Sequence, residues 1–289
     1  MATRFKSVIA LLAAVMAVAT AACAGDPPAP TPNIEATVDA RIEQERATET
    51  PEPTPNIEAT IEAGIAATLV GVEPEKRVKA TQAAPDGVPE HLNRAVTYYK
   101  LGEYQQAIED FDRLIELDPN DNKAYTNRGL AYRKLGQYQR AIQDYDKSIR
   151  LDPDYAQAYN NRGVAYRKLG QYQRAIQDHD KSIQLDPNYG IAYYNRGIAY
   201  DELGEYQRAI QDYDKAIQLD PNYGIAYYNR GIAYYYLGEY QRAIQDFDKA
   251  IQLNPNDGDA YYNRGIAYDE LGEYQRAIQD YEKAIQLDP

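Results

Sequence analysis

Side chains that could do chemistry are scarce in this 289-residue chain, which has two histidines, His91 and His179, and one cysteine, Cys23. Carboxylates are plentiful but patterned, with Asp-x-Asp pairs such as Asp144/Asp146 and Asp212/Asp214 recurring at a fixed interval. Residues two apart on a helix do not face each other, so these pairs read as a solvated face or as ion-pair partners and not as a metal site. His179 stands where equivalent segments carry Tyr145 and Tyr213, which marks it as a packing substitution. The run Asn254-Pro255-Asn256-Asp257-Gly258-Asp259 has the composition of a calcium loop but lacks the ligand spacing and the closing glutamate. Each Leu-Gly step leads into a helix-forming polar segment and makes a turn, so no phosphate cradle is read there. The expectation is a noncatalytic chain with no cofactor and no metal.

The interval behind those pairs is the organising fact. Pro119, Pro153, Pro187, Pro221, Pro255 and Pro289 are each 34 residues apart, and Gly190 to Tyr223 serves as the unit. A period of that size means stacked supersecondary units. From Ile191 to Leu203 the unit is helix-compatible, and at about 100° per residue Tyr193, Gly197, Tyr200 and Leu203 fall on one face, taken as the core face. A glycine inside a helix costs roughly 1 kcal/mol against alanine, so Gly197 marks a close approach to a neighbouring helix, with Ala209 as the expected partner. Leu203-Gly204-Glu205 makes a turn. A second helix from about Tyr206 to Leu219 follows, with the apolar series Tyr206, Ala209, Ile210, Tyr213, Ala216 and Ile217. Asp220-Pro221-Asn222 ends it, because proline cannot continue the ladder. One helix pair cannot bury both apolar faces, so copies must stack.

The pattern Tyr193-x-x-Arg196-Gly197-x-x-Tyr200, Ala209-x-x-x-Tyr213, Pro221 resembles the tetratricopeptide repeat over residues 88–289. Tyr replaces the usual Trp at Tyr125, Tyr159, Tyr193, Tyr227 and Tyr261, and Arg replaces Leu at Arg128, Arg162, Arg196, Arg230 and Arg264. The first copy, Val88–Asp121, has Ala95 in place of the glycine. The resemblance implies an all-α, right-handed superhelical solenoid of about six helix-turn-helix repeats of 34 residues. The recurring arginines are expected to pair with second-helix aspartates such as Asp178 or Asp212 in an inter-repeat ladder.

The resemblance also implies that extended peptides lie along an inner face made of first helices. Helical arithmetic puts Lys123, Asn127, Arg133 and Lys134 there in the second copy, and Asn161, Arg167 and Lys168 in the third. Tyr194 and Asn195 follow in the fourth, Tyr228, Asn229 and Tyr235 in the fifth, and Tyr262 and Asn263 in the sixth. The charge changes along this line. Residues 122–189 hold 12 Lys/Arg against 7 Asp/Glu, and residues 190–289 hold 9 against 17. With a net charge of −13 the chain is not expected to bind nucleic acid. The expected partner is a protein or peptide with an acidic segment over the second and third copies. Two alternatives are a saccharide-binding module that stacks sugars on groove tyrosines and an accessory subunit of an envelope enzyme.

Residues 1–22 have the build of an export signal: Arg4 and Lys6, an apolar run from Val8 to Ala19, then small residues. Thr20-Ala21-Ala22-Cys23 resembles a bacterial lipobox, which implies an acylated Cys23 and an exported, membrane-anchored protein. Ordinary cleavage near Ala21 or Ala24 is the alternative. Residues 23–87 are rich in Pro, Ala, Thr and Glu and read as a tether with two short helical copies, spanning about 45 Å as a flexible chain. The array stops at Pro289 with no capping helix after the sixth copy. Tyr281, Ala284, Ile285 and Leu287 are therefore expected to be laid bare and to support self-association.

Overall fold

The computed structural model describes residues 88–287; the export segment, Cys23 and the tether lie outside them. The described residues form twelve α-helices and no strand. They come in six pairs: α1 Val88–Lys100 with α2 Tyr104–Leu117, α3 Asn122–Lys134 with α4 Tyr138–Leu151, and α5 Ala156–Lys168 with α6 Tyr172–Leu185. The series continues with α7 Gly190–Asp201 and α8 Tyr206–Leu219, α9 Gly224–Tyr236 and α10 Tyr240–Leu253, and α11 Gly258–Glu270 and α12 Tyr274–Leu287.

The turns follow from local chemistry. Gly204 sits at φ +73°, a left-handed conformation that favours glycine. Its N–H donates to Asp201 O at 2.8 Å, and the Glu205 N–H reaches Tyr200 O at 2.9 Å, closing a Schellman motif that satisfies the last carbonyls of α7. Between repeats, Asp220 caps the turn with its own side chain, accepting from the Asn222 N–H at 3.0 Å while Pro221 blocks continuation.

Each first helix packs against its own second helix and the second helix of the preceding repeat. Consecutive first helices from α3 to α11 also touch, whereas no comparable contact joins consecutive second helices. The array therefore curves with the first helices on its inner side. The core is made of small residues facing aromatic ones. A Cβ added at Gly197 would lie 2.7 Å from Tyr213 Cε1, so the Tyr213 ring is the nearest neighbour of the glycine; at the equivalent Gly265 the Ala277 carbonyl, in the place of Ala209, also comes within 3.3 Å. The same fit recurs at Gly129/Tyr145, Gly163/His179, Gly231/Phe247 and Gly265/Tyr281. His179 is thus a packing residue at the aromatic position. The buried residues of α7 are Ala192, Tyr194, Asn195, Gly197, Ala199 and Tyr200. Tyr193 is only half-buried and Leu203 is exposed, correcting the expected core face.

The recurring arginines form a continuous ladder. Arg196 donates from Nε and Nη2 to Asp212 of its own repeat, at 2.8 and 2.6 Å, and from Nη1 to Asp180 of the preceding repeat at 2.5 Å. Arg128, Arg162, Arg230 and Arg264 repeat this geometry. Both members of each Asp-x-Asp pair are used: the first binds the arginine of its own repeat, the second that of the next. Burial pushes the Asp212 carboxyl upward, while Arg196 pulls it down. Among the described residues no group of three or more His, Cys, Asp or Glu is placed to hold a metal.

At the far end, Ala284 is buried, and Tyr281, Ile285 and Leu287 are half-buried. Ile217 and Leu219, which are followed by a further repeat, are half-buried too. Tyr281 is more open than its counterpart, the fully buried Tyr213.

Candidate functional site

The inner face is built from one helix of each repeat, and a second ladder runs along it. Asn195 Nδ2 donates to Asn160 Oδ1 at 3.0 Å, Asn229 to Tyr194 Oη at 2.9 Å and Asn263 to Tyr228 Oη at 2.8 Å. Each bond crosses from one first helix to the preceding one. These asparagines, read from sequence as ligand groups, spend their amide N–H on the neighbouring repeat.

Burial divides the expected groove residues. Lys123 and Lys168 are exposed, as is Tyr262, and Asn127, Arg133, Lys134, Tyr228, Asn229, Tyr235 and Asn263 are half-buried. Tyr194 is fully buried, and Asn195, Asn161 and Arg167 are also buried. Tyr194 and Asn195 are therefore corrected from ligand-facing to packing residues. Tyr194 packs at a tilt against Tyr213 and Tyr223, with 5.9 and 5.0 Å between ring centroids. The arithmetic of one helix pair counts a single core direction, but the neighbouring first helices cover a second. A buried Tyr194 also offers no ring to a sugar. Exposed tyrosines of the first helices are Tyr236 and Tyr262, with the half-buried Tyr235 beside Tyr236 and donating to Glu270 Oε1 at 3.1 Å; Tyr274, at the start of the last helix, is exposed as well.

One inner-face position varies in charge along the array: Arg133 and Arg167, then Asp201, Tyr235 and Asp269. Twelve residues on, the second helix of the same repeat supplies Tyr145, His179, Tyr213, Phe247 and Tyr281. In the fourth repeat the two meet: Tyr213 Oη donates to Asp201 Oδ2. Asp201 Oδ1 is sealed from solvent with no partner, and burial pushes the Asp201 carboxyl up to about 7. In the third repeat, His179 is fully buried and neither ring nitrogen makes a hydrogen bond. Burial, with Arg167 and Arg196 nearby, holds it neutral, its pKa lowered to about 3. Sequence reasoning missed the Asp201–Tyr213 bond. The one signal for it was the switch from Arg167 to Asp201 at equivalent places in successive repeats.

A curved stack of antiparallel helix pairs, each bonded only to its neighbours, defines a helical solenoid repeat protein. The sequence family described as TPR repeat matches residues 95–136 and 129–170, and that described as tetratricopeptide repeat matches 156–189, 190–223, 224–257 and 258–289. The chain belongs to the tetratricopeptide repeat family. No curated protein matches the chain. Among solved structures, MamA is 32% identical, with a TM-score of 0.52, over 55% of this chain and 94% of that one. YrrB, described as a TPR protein with an unusual peptide-binding site, is 26% identical at a TM-score of 0.53, over 63% of this chain and 94% of that one. PilW, described as a widely conserved type IV pilus biogenesis factor, is 22% identical at a TM-score of 0.64, covering 71% and 94%, and shares the fold.

Proposed function

We propose that this chain is a noncatalytic scaffold that holds an extended segment of another protein along the inner face of its array. The observation that carries this reading is the composition of that face. It is continuous through the repeats, it presents Lys123 and Lys168 at one end and Tyr236 and Tyr262 at the other, and its asparagines already tie the repeats together. Such a surface is rigid, curved and chemically graded, as recognition of an extended chain requires. The peptide-binding site ascribed to YrrB supports the same use of the fold. Photo-crosslinking from positions 236 and 262, against positions 177 and 211 on the second helices, tests it. Capture of a protein from the inner-face positions alone is expected, and equal capture from both sets overturns the reading.

We further propose that the array is exported and held at a membrane by acylation of Cys23, on the strength of the signal-like residues 1–22 and Ala21-Ala22-Cys23. Cys23→Ser should release the chain from the membrane fraction. An unmodified Cys23 in the mass spectrum of the wild-type protein rejects the anchor.

A further inference from the structure

Arg133 and Arg167 lie five residues beyond Arg128 and Arg162 on the same helices, α3 and α5, yet they are satisfied very differently. The ladder arginines each donate three hydrogen bonds of 2.5–2.9 Å to two aspartates. In Arg133 and Arg167 the Nε is sealed from solvent and makes no hydrogen bond. Arg167 is only 8% exposed, and the one carboxylate paired with it, Glu202, stands 3.6 Å from Nη1, beyond hydrogen-bond length. Burial lowers the Arg167 pKa, and Arg133 pushes the same way. Tyr145 lies beside Arg133, and the neutral His179 lies beside Arg167 with both ring nitrogens unused.

The two guanidiniums repel each other across the line where α3 touches α5, each with a neutral polar group beside it, and no anion is in hydrogen-bond contact with either. A buried cation in that condition is costly unless a matched anion arrives. We propose that Arg133 and Arg167 form a seat for one acidic side chain of the bound protein segment, which displaces Glu202 from Arg167. The proposal rests on the groove reading above and deepens it. A planar carboxylate accepts two parallel bonds from a guanidinium fork, which a 3.6 Å approach by Glu202 does not provide. Further along the face, Asp269 and Glu270 repel acids. An acidic residue is therefore accepted at this end alone, and the seat sets the direction in which the segment lies.

The test uses the full chain in detergent and three labelled peptides. One alternates glutamate and tyrosine and is amidated at its C-terminus, the second replaces glutamate by glutamine, and the third is the glutamine peptide with a free C-terminus. The glutamate peptide should bind about tenfold more tightly than either of the others, as one charge-assisted pair implies. Arg133→Gln and Arg167→Gln should each erase that preference. Glu202→Gln should tighten the glutamate peptide about threefold and leave the glutamine peptides unchanged, a gain that misfolding cannot imitate. Equal binding of all three peptides removes the seat while leaving the groove reading in place. Preference for the free terminus, no binding at all, or no gain from Glu202→Gln also overturns it, and the crosslinking experiment decides the groove separately.

Discussion

Arg196 grips Asp212 through two parallel hydrogen bonds, Nε to Oδ2 at 2.8 Å and Nη2 to Oδ1 at 2.6 Å, with the aspartate side chain only 7% exposed. Its third bond, to Asp180, ends on a side chain 51% exposed. One guanidinium therefore makes a buried contact within its repeat and a solvated contact to the one before. Arg196→Leu should cost about 3–5 kcal/mol, because Asp212 is left buried and unpaired. Asp180→Asn should cost less than about 1 kcal/mol. Denaturant unfolding of both variants and a double-mutant cycle between Arg196 and Asp212 check this, and the absence of coupling would refute it.

The inner ladder should be graded by burial. Asn229→Ala removes the donor to the hydroxyl of the fully buried Tyr194, whereas Asn263→Ala removes the donor to that of the half-buried Tyr228. The first should lose about 1–3 kcal/mol and the second clearly less, since water replaces the lost donor only at Tyr228. Thermal unfolding of the two variants reads the order directly, and a reversed order would count against the ladder.

Gly231→Ala places a Cβ 2.8 Å from Phe247 Cε1 and 3.0 Å from Cδ1. Overpacking of this kind costs about 1–3 kcal/mol. Phe247→Leu in the same chain should recover part of the loss, because the shorter side chain vacates the contact. Additive losses in the double variant would show that the glycine is retained for another reason.

Asp201 and His179 should tilt stability in opposite directions with pH. The folded Asp201 carboxyl, at about 7, lies above its unfolded value near 3.9, so the native state holds the extra proton between those limits and stability falls as pH rises through them. The folded His179, at about 3, lies below its unfolded value near 6.5, so the unfolded state holds the extra proton and stability falls as pH drops through that window. Between about pH 4 and 6.5 the two largely offset each other. Asp201→Asn should leave a protein more sensitive to acid, and His179→Tyr one more sensitive to alkali, each by up to a few kcal/mol. Urea melts from about pH 4 to 8 test both; unchanged slopes would contradict the burial of these groups.

The period, the helix pairs and the arginine ladder are legible because each repeats at a fixed spacing. Pro119 to Pro255 mark the ends of the pairs, and Arg196 lies sixteen residues from both Asp180 and Asp212. What escapes is what depends on a third neighbour. Tyr194 lies off the apolar stripe read for its own helix, so the pattern of one pair assigns it to the open face, yet it packs beside Tyr213 and is covered by Tyr223 and Asn229. Spacing pairs Gly197 with the small residue Ala209 and does not show that the Tyr213 ring comes nearest to it. Periodicity on one helix reports which side is apolar and carries no record of how many partners share it.

The inner ladder always joins a residue to one 35 places earlier, and the arginine ladder always spans sixteen in either direction. Removing residues 190–223 as a block would bring Asn229 to Asn160, as Asn195 stands now, and Arg230 to Asp180 while it keeps Asp246. The segments 190–223 and 224–257 differ at five positions. Unequal recombination between their coding sequences would thus yield a shorter or longer molecule with its bonding register intact, and the array's length is a heritable variable that can change in one genetic event without passing through an unfoldable intermediate.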